Sequence, residues 1–156
     1  MSLPIHKPRP AAGASPTEWT DFGRGTWDEV MGVRVTAIED GLVLGEIDIA
    51  PHHFGTSGFV HAAVIIGLAD TVAAYGCAAS LPAGATSYTT LELKTNFIGA
   101  ALHGVLRCRA ERLHAGRSTQ VWDATVTGGD GRTVAVYRCT EIILWPRPTR
   151  STTDRL

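Results

Sequence analysis

Between Phe59 and Leu81 the chain is almost wholly apolar and small, and at the centre of that run stands a single carboxylate, Asp70. The run is long enough to span a bilayer. Ala and Gly dominate it, however, His61 lies near one end, and a carboxylate at a membrane centre costs about 2.5 to 3.5 kcal/mol on insertion scales. The feature therefore predicts a helix of about five turns enclosed by the protein's own fold. Its apolar residues form no single stripe, which predicts cover on nearly every side. The loop from His52 to Gly58, rich in Gly and hydroxyls, delivers the chain into this helix, and Pro82-Ala83-Gly84 ends it.

The rest of the chain must supply the enclosure. Val33 to Ile38 and Leu42 to Ile49 alternate as strands around Asp40-Gly41, a dipeptide suited to a tight hairpin turn. Beyond Gly84, the segments Ser87 to Ile98, Leu102 to Leu113, Thr119 to Thr127 and Thr133 to Leu144 alternate in the same way. Short turns between them imply antiparallel pairing, because parallel strands need crossovers of about a dozen residues or more. The fold class is thus α+β, an antiparallel sheet wrapped around one long central helix. Between Thr17 and Gly32, Trp19, Phe22, Trp27, Val30 and Met31 line one side of a stretch broken by Gly23 and Gly25, which adds one or two short helices. Residues 1–16 read as a flexible N-terminal arm, 17–146 as the folded domain and 147–156 as a loose C-terminal tail.

A chain of 156 residues holds one ordinary domain. Its 14 basic and 15 acidic residues leave a formal charge of -1 with no basic run, which argues against nucleic acid as a partner. The N-terminal stretch has no apolar core of a secretory signal, so a cytoplasmic location is expected, and no membrane partner. Cys77, Cys108 and Cys139 lack metal or redox spacing and read as buried free thiols. His52, His53 and His61 have no Cys or carboxylate at useful spacing in their loop, so no metal is expected.

An ionised carboxylate inside an apolar helix must be paired or hydrogen-bonded, and no Lys or Arg lies between Phe59 and Leu81. Asp70 is therefore a candidate for chemistry, the alternative being an Asp bonded to a hydroxyl or facing a wet gap. His61, Ala62 and Ala63 begin the helix, where unpaired amides and the positive dipole end attract developing negative charge. Ala62 and Asp70 are eight residues apart, which on one helix separates them by about 12 Å along the axis. They cannot both touch one carbonyl within one chain. A twofold dimer solves the geometry by bringing the helix start of one copy to the Asp of the other.

The spacing of His61 and Asp70, the run Leu68-Ala69-Asp70-Thr71, the strand from Thr90 to Phe97 and the turn Asp130-Gly131-Arg132 together resemble the hotdog acyl-CoA thioesterases of the phenylacetate-pathway and 4-hydroxybenzoyl-CoA type. The resemblance implies a hotdog fold, a homodimer or homotetramer, a small-molecule acyl-CoA substrate with an aryl or medium-chain acyl group, and no cofactor. It places the oxyanion-binding amide at Ala62, where the family commonly has Gly, and the catalytic carboxylate at Asp70, as nucleophile or general base. His61 is read as a substrate contact or simply as the helix cap, and Ala63 as part of the same helix start. Where the family commonly carries a polar residue before the helix, this chain has Gly55. The family's assisting hydroxyl matches Thr90, with Thr89 beside it; both also suit a strand for structural reasons. Arg109, Arg112 and Arg117 are candidates for the CoA phosphates, Arg117 above all because it sits in an exposed turn. Two further readings stay open: a noncatalytic acyl-CoA binding module, and a hotdog hydroxyacyl-thioester dehydratase using His53.

Overall fold

The computed structural model describes residues 7–146. The chain opens with two short helices, α1 (Pro16–Phe22) and α2 (Trp27–Met31), followed by the hairpin β1 (Arg34–Glu39) and β2 (Leu42–Asp48). A single turn of 3-10 helix at Pro51–His53 leads to the long helix α3 (Ala62–Ala79). Four strands complete the domain: β3 (Ser87–Phe97), β4 (Val105–Ala115), β5 (Thr119–Thr127) and β6 (Thr133–Leu144). All six strands form one antiparallel sheet in the order β1-β2-β4-β5-β6-β3. The first and last described segments frame this domain: Lys7 donates to the carbonyls of Phe22 and Arg24, and Ala14 packs on the core, so residues 7–15 lie along the surface. The C-terminal tail expected at 147–156 and the first residues of the arm, 1–6, lie outside the described residues.

Local sequence explains these elements. Ser15 and Glu18 form a capping box at the start of α1, with Pro16 in the first turn. Gly41 takes φ +78 in the turn between β1 and β2, the left-handed conformation that a two-residue hairpin demands. Strand β4 starts at Val105, three residues later than the alternation predicts, because Gly104 at φ +81 places a turn there. Helix α3 is rich in Ala, the best helix former, and starts with the His61 side chain accepting from the amide of Ala63. It stops at Ala79, before Pro82: the hydroxyl of Ser80 turns back onto the Gly76 carbonyl, and Gln120 donates to the Ser80 carbonyl.

The core lies between α3 and one face of the sheet. Leu68, Ala69, Val72, Ala73 and Cys77 of the helix are fully covered, against Val43, Ile47, Leu106, Trp122 and Val126 of the strands. Two glycines permit the close approach. A Cβ on Gly76 would lie 2.4 Å from the Trp122 ring, and one on Gly45 would lie 2.6 Å from Val72. Helix α3 is long and apolar enough to cross a membrane by length and composition, yet 67% of it is buried inside this fold. Cys77, Cys108 and Cys139 are all buried and free, and burial pushes the thiols of Cys77 and Cys139 up to about 12.

The cover is not complete on every side, which corrects the expectation from periodicity. Ala62, Ile66, Asp70 and Ala74 recur four residues apart and, with Ala63 beside the first, keep solvent access, so a strip along α3 is left open. The sheet forms one flank of α3, and α1 and α2 lie on another through Trp19, Phe22, Tyr75 and Asp28. Strand β3 is an edge strand with Leu91, Leu93 and Phe97 exposed.

If the bare backbone at residue 76 is what seats the helix, Gly76→Ala should lower stability by about 1 to 3 kcal/mol, the usual cost of overpacking, despite the better helix propensity of Ala. Urea denaturation measures it. A variant as stable as wild type would show that Trp122 moves aside without cost.

Candidate active site

Two separate constellations sit on α3. At its N-terminus, the amide of His61 donates to the His53 carbonyl, the Ala63 amide is taken by His61 Nδ1 at 3.0 Å, and the Val64 amide donates to the His61 carbonyl. Ala62, the first helical residue, has no acceptor within the helix by its position, and it is exposed. The free donor at the positive helix end is thus the Ala62 amide. Because Nδ1 of His61 accepts, its ring proton resides on Nε2 when the ring is neutral. His61 therefore caps the helix and also faces a cleft of about 410 Å3 lined by Gly55, Ser57, Phe59, Ala62, Phe97 and neighbouring residues.

Gly55 stands in that cleft against the imidazole: a Cβ there would lie 3.2 Å from His61 Cδ2. A larger side chain at 55 would have to displace the ring by a few tenths of an ångström. The loop is held by Gly55 N–H to the Phe59 carbonyl and Gly58 N–H to the Gly55 carbonyl, so backbone rather than side chain borders the cleft at this point.

The second constellation lies two turns further along. Asp70 is half-buried, and its Oδ1 accepts from the Tyr137 hydroxyl at 2.6 Å. Among the described residues this is the only side-chain hydrogen bond to the carboxylate, which leaves Oδ2 without a side-chain donor. Tyr137 comes from β6, where Ala135, Tyr137, Cys139, Glu141 and Ile143 alternate inward. Burial, with the adjacent Asp70 as a further cause, pushes the Tyr137 phenol well above its ordinary value, so it remains a donor.

The hydroxyl expected from Thr90 goes elsewhere. Thr90 donates to Glu141 Oε1 at 3.2 Å, and its neighbour Thr89 is exposed on β3. The register shift between Thr90 and Glu92 sits beside this contact. The hydroxyl that meets Asp70 is therefore Tyr137's. Sequence reasoning passed over both Tyr137 and Glu141, although the inward parity of the last strand marks each of them.

Glu141 is wholly buried, with Oε1 also receiving the Cys139 thiol at 3.6 Å and Oε2 without a partner among the described residues. Burial, and then the charge of Asp70, raise its pKa. Two carboxyl groups thus share the inner face of the fold, one open to the strip and one sealed.

Arg117 is placed at the other end of the molecule. Its guanidinium lies 5.2 Å from the Trp145 ring, and the Trp145 indole donates to the Arg117 carbonyl, near the C-terminal end of α3. With α3 spanning roughly 27 Å, Arg117 does not meet Ala62 of its own chain. Arg109 pairs with Glu111, and Arg112 pairs with Asp40 and lies over Trp122. His52 and His53 serve the backbone: His52 Nε2 is 3.2 Å from the Val30 carbonyl, and buried His53 accepts from the Ala50 amide through Nδ1. Burial, and then the nearby His52, lower the His53 pKa. No group of three or more metal-ligating side chains occurs among the described residues.

A family model described as the thioesterase superfamily matches residues 57–135, which carry the end of the loop before α3, all of α3, strands β3 to β5 and the start of β6. The chain belongs to the thioesterase superfamily. Among its relatives, the 1,4-dihydroxy-2-naphthoyl-CoA hydrolase of Listeria monocytogenes is 27% identical over 112 residues, covering 72% of this chain and 90% of the relative. The acyl-coenzyme A thioesterase PaaI of Escherichia coli is 24% identical over 111 residues, covering 70% and 76%. In structure, a mutant of the thioesterase PA1618 of Pseudomonas aeruginosa superposes with a TM-score of 0.80 at 19% identity, covering 84% of this chain and 94% of that one. The superfamily's hotdog architecture is the fold described above.

The sealed carboxyl makes a pH prediction. Burial holds the Glu141 carboxyl above its ordinary value of 4.5 in the folded protein, so between the unfolded and folded values the native state binds more protons. Its contribution to stability is complete below the unfolded value and is lost as pH rises through the folded one. Glu141→Gln should therefore show a smaller decline in unfolding free energy than wild type from about pH 4.5 upward. Denaturant titrations of both proteins across that range test it, and parallel curves would show that Glu141 ionises freely.

Proposed function

We propose that the protein hydrolyses an acyl-CoA thioester to a carboxylic acid and free CoA, with Asp70 driving the attack and the Ala62 amide holding the carbonyl oxygen. The observation that carries this reading is the second oxygen of Asp70, which lacks a side-chain donor on the open strip of an otherwise buried helix; the Tyr137 hydrogen bond alone suits a structural carboxylate equally, and membership of the thioesterase superfamily favours the chemical role. A carboxylate so held can draw a proton from water, whose oxygen then adds to the thioester carbon as CoA thiolate leaves, or it can attack that carbon itself, expelling CoA thiolate to give a mixed anhydride that water then hydrolyses to the acid. Either way negative charge develops on the carbonyl oxygen, and a preorganised amide at a helix N-terminus lowers the barrier to it.

The two groups belong to different copies of the chain. Their separation of about 12 Å along one helix excludes a shared carbonyl within a chain. A twofold homodimer, alone or as half of a homotetramer, brings the Ala62 end of one helix to Asp70 of the other. The open strip on α3 and the apolar edge strand β3 support such an assembly, since unpaired edges and exposed apolar side chains are what a second copy covers. The names of the relatives support a CoA thioester as substrate, and the Listeria relative is named for an aryl one. The phenylalanines at 59 and 97 in the cleft suit an aryl or medium-chain acyl group.

Assays of thiol release from aryl and medium-chain acyl-CoAs should show turnover that Asp70→Asn lowers roughly 10²- to 10⁴-fold in kcat, the range for loss of a positioned base. Equal rates in the two proteins would remove Asp70 from the reaction, and binding of CoA esters without turnover would make the protein a carrier. Tyr137→Phe should cost about 13- to 160-fold in kcat, equivalent to a hydrogen bond to a charged group of about 1.5 to 3 kcal/mol. Thr90→Val should change kcat less than Tyr137→Phe does; the reverse order would return the assisting role to Thr90. Sedimentation equilibrium should find a dimer or larger, and an active monomer would contradict the shared site.

A further inference from the structure

Helix α3 carries a second glycine, Gly67, whose reason lies outside the sheet. A Cβ on Gly67 would fall 2.0 Å from Cη2 of Trp27 and 2.7 Å from its Cζ3, so the six-membered ring of the indole rests directly on the helix backbone. A glycine at mid-helix is a far poorer helix former than alanine, and Gly67 has no left-handed backbone to justify it. What it accommodates is the ring. Trp27 is the first residue of α2, and the next residue anchors it: Asp28 accepts from the Thr71 hydroxyl at 3.1 Å and from the Tyr75 hydroxyl at 2.8 Å. Gly67, Thr71 and Tyr75 follow one another at four-residue spacing, so α2 is tied down along one row of α3.

Despite this anchoring, 51% of Trp27 is exposed. Trp19, by contrast, is sealed on the inner face of α1. Gly67 is one helical turn before Asp70, and residues at that spacing stand about 5 to 6 Å apart at Cβ. The ring tip thus lies over the helix one turn before Asp70, on the flank of the open strip. A large aromatic side chain, held rigid from below and presented to solvent next to a reactive group, is suited to receive a flat apolar ligand.

We propose that Trp27 is a specificity-determining residue that selects aromatic acyl groups by stacking against them. This rests on the reading of Asp70 as the reacting carboxylate and goes beyond it by assigning the acyl contact to α2, which precedes the segment matched by the family model. An aromatic pair adds about 0.5 to 1.5 kcal/mol beyond its area burial, which corresponds to about a 2- to 13-fold preference. Aliphatic chains gain only the burial. Gly67 is the partner residue of the device, because it lets the ring lie where it does.

The test compares benzoyl-CoA with octanoyl-CoA in wild type, Trp27→Phe, Trp27→Leu and Gly67→Ala, with Asp70→Asn as the control for the underlying reaction. Expected is a fall in kcat/KM for benzoyl-CoA of about 2- to 13-fold in Trp27→Leu and in Gly67→Ala, a smaller fall for octanoyl-CoA, and recovery of most of the benzoyl activity in Trp27→Phe. A nonhydrolysable benzyl thioether of CoA should bind more weakly to Trp27→Leu by the same factor, a readout that needs no turnover. Equal losses for both substrates, or none, would overturn the proposal while Asp70-dependent hydrolysis in wild type left the catalytic reading standing. Hydrolysis that is unaffected by Asp70→Asn would instead sink that reading, and the role of Trp27 with it. Conversion of the assembly to a smaller species by Trp27→Leu, seen by sedimentation, would make the indole an interface residue and also overturn it. Thermal denaturation of each variant checks that the fold is retained, and the Phe variant decides the matter should Leu fail to fold.

Discussion

Contact between α3 and the sheet is made at atomic range because the chain withholds side chains where the two surfaces meet. Gly76 lies under the Trp122 ring and Gly45 under Val72, and neither position has room for a methyl group. Close packing of this kind fixes the rotation of the helix about its own axis, since turning it would drive the neighbouring Leu68 and Val72 into the strands. That rotation in turn decides which residues are left outside. Ala62, Ile66, Asp70 and Ala74 fall on the open strip, so the location of the carboxylate follows from two glycines that never touch it.

A carboxylate at such a position needs a donor, and the sheet supplies one from its inner face. The last strand directs a phenol, a thiol and a second carboxyl inward in succession at Tyr137, Cys139 and Glu141. Tyr137 reaches Asp70, while Cys139 and Thr90 reach Glu141. The interior is therefore not uniformly apolar. It holds a short polar row that separates one carboxyl group facing the strip from one shut away from water, and burial pushes the latter toward its neutral form.

Most of the architecture was legible from residue patterns because its determinants are local. Asp40-Gly41 names its own turn, Val121, Ala124 and Val126 between polar residues name a strand, and an apolar run of this length between a Gly-rich loop and Pro82 names a helix. The start of α3 was legible for the same reason, since an amide without an intrahelical acceptor follows from position alone. The partner of Asp70 was not. It comes from a residue 67 positions away, and which hydroxyl reaches the carboxylate depends on the relative placement of two strands and a helix. Thr90 and Tyr137 are equally plausible in sequence, and the register irregularity beside Thr90 is invisible there. The open strip was missed for a related reason: hydrophobicity reports which residues avoid water, whereas the order β1-β2-β4-β5-β6-β3 determines how far one sheet can reach around a helix. Trp27 and Gly67 stand 40 positions apart, and only their contact gives the glycine a purpose.

The three cysteines have a practical consequence for anyone wishing to watch this protein move. Each is sealed in the core, and the thiols of Cys77 and Cys139 titrate only near pH 12, so little thiolate is available to maleimides or iodoacetamides in neutral buffer. A single cysteine introduced on an outer loop would thus react selectively in the otherwise native chain. Spectroscopic labels for distance measurement can be attached without first deleting any natural sulfhydryl.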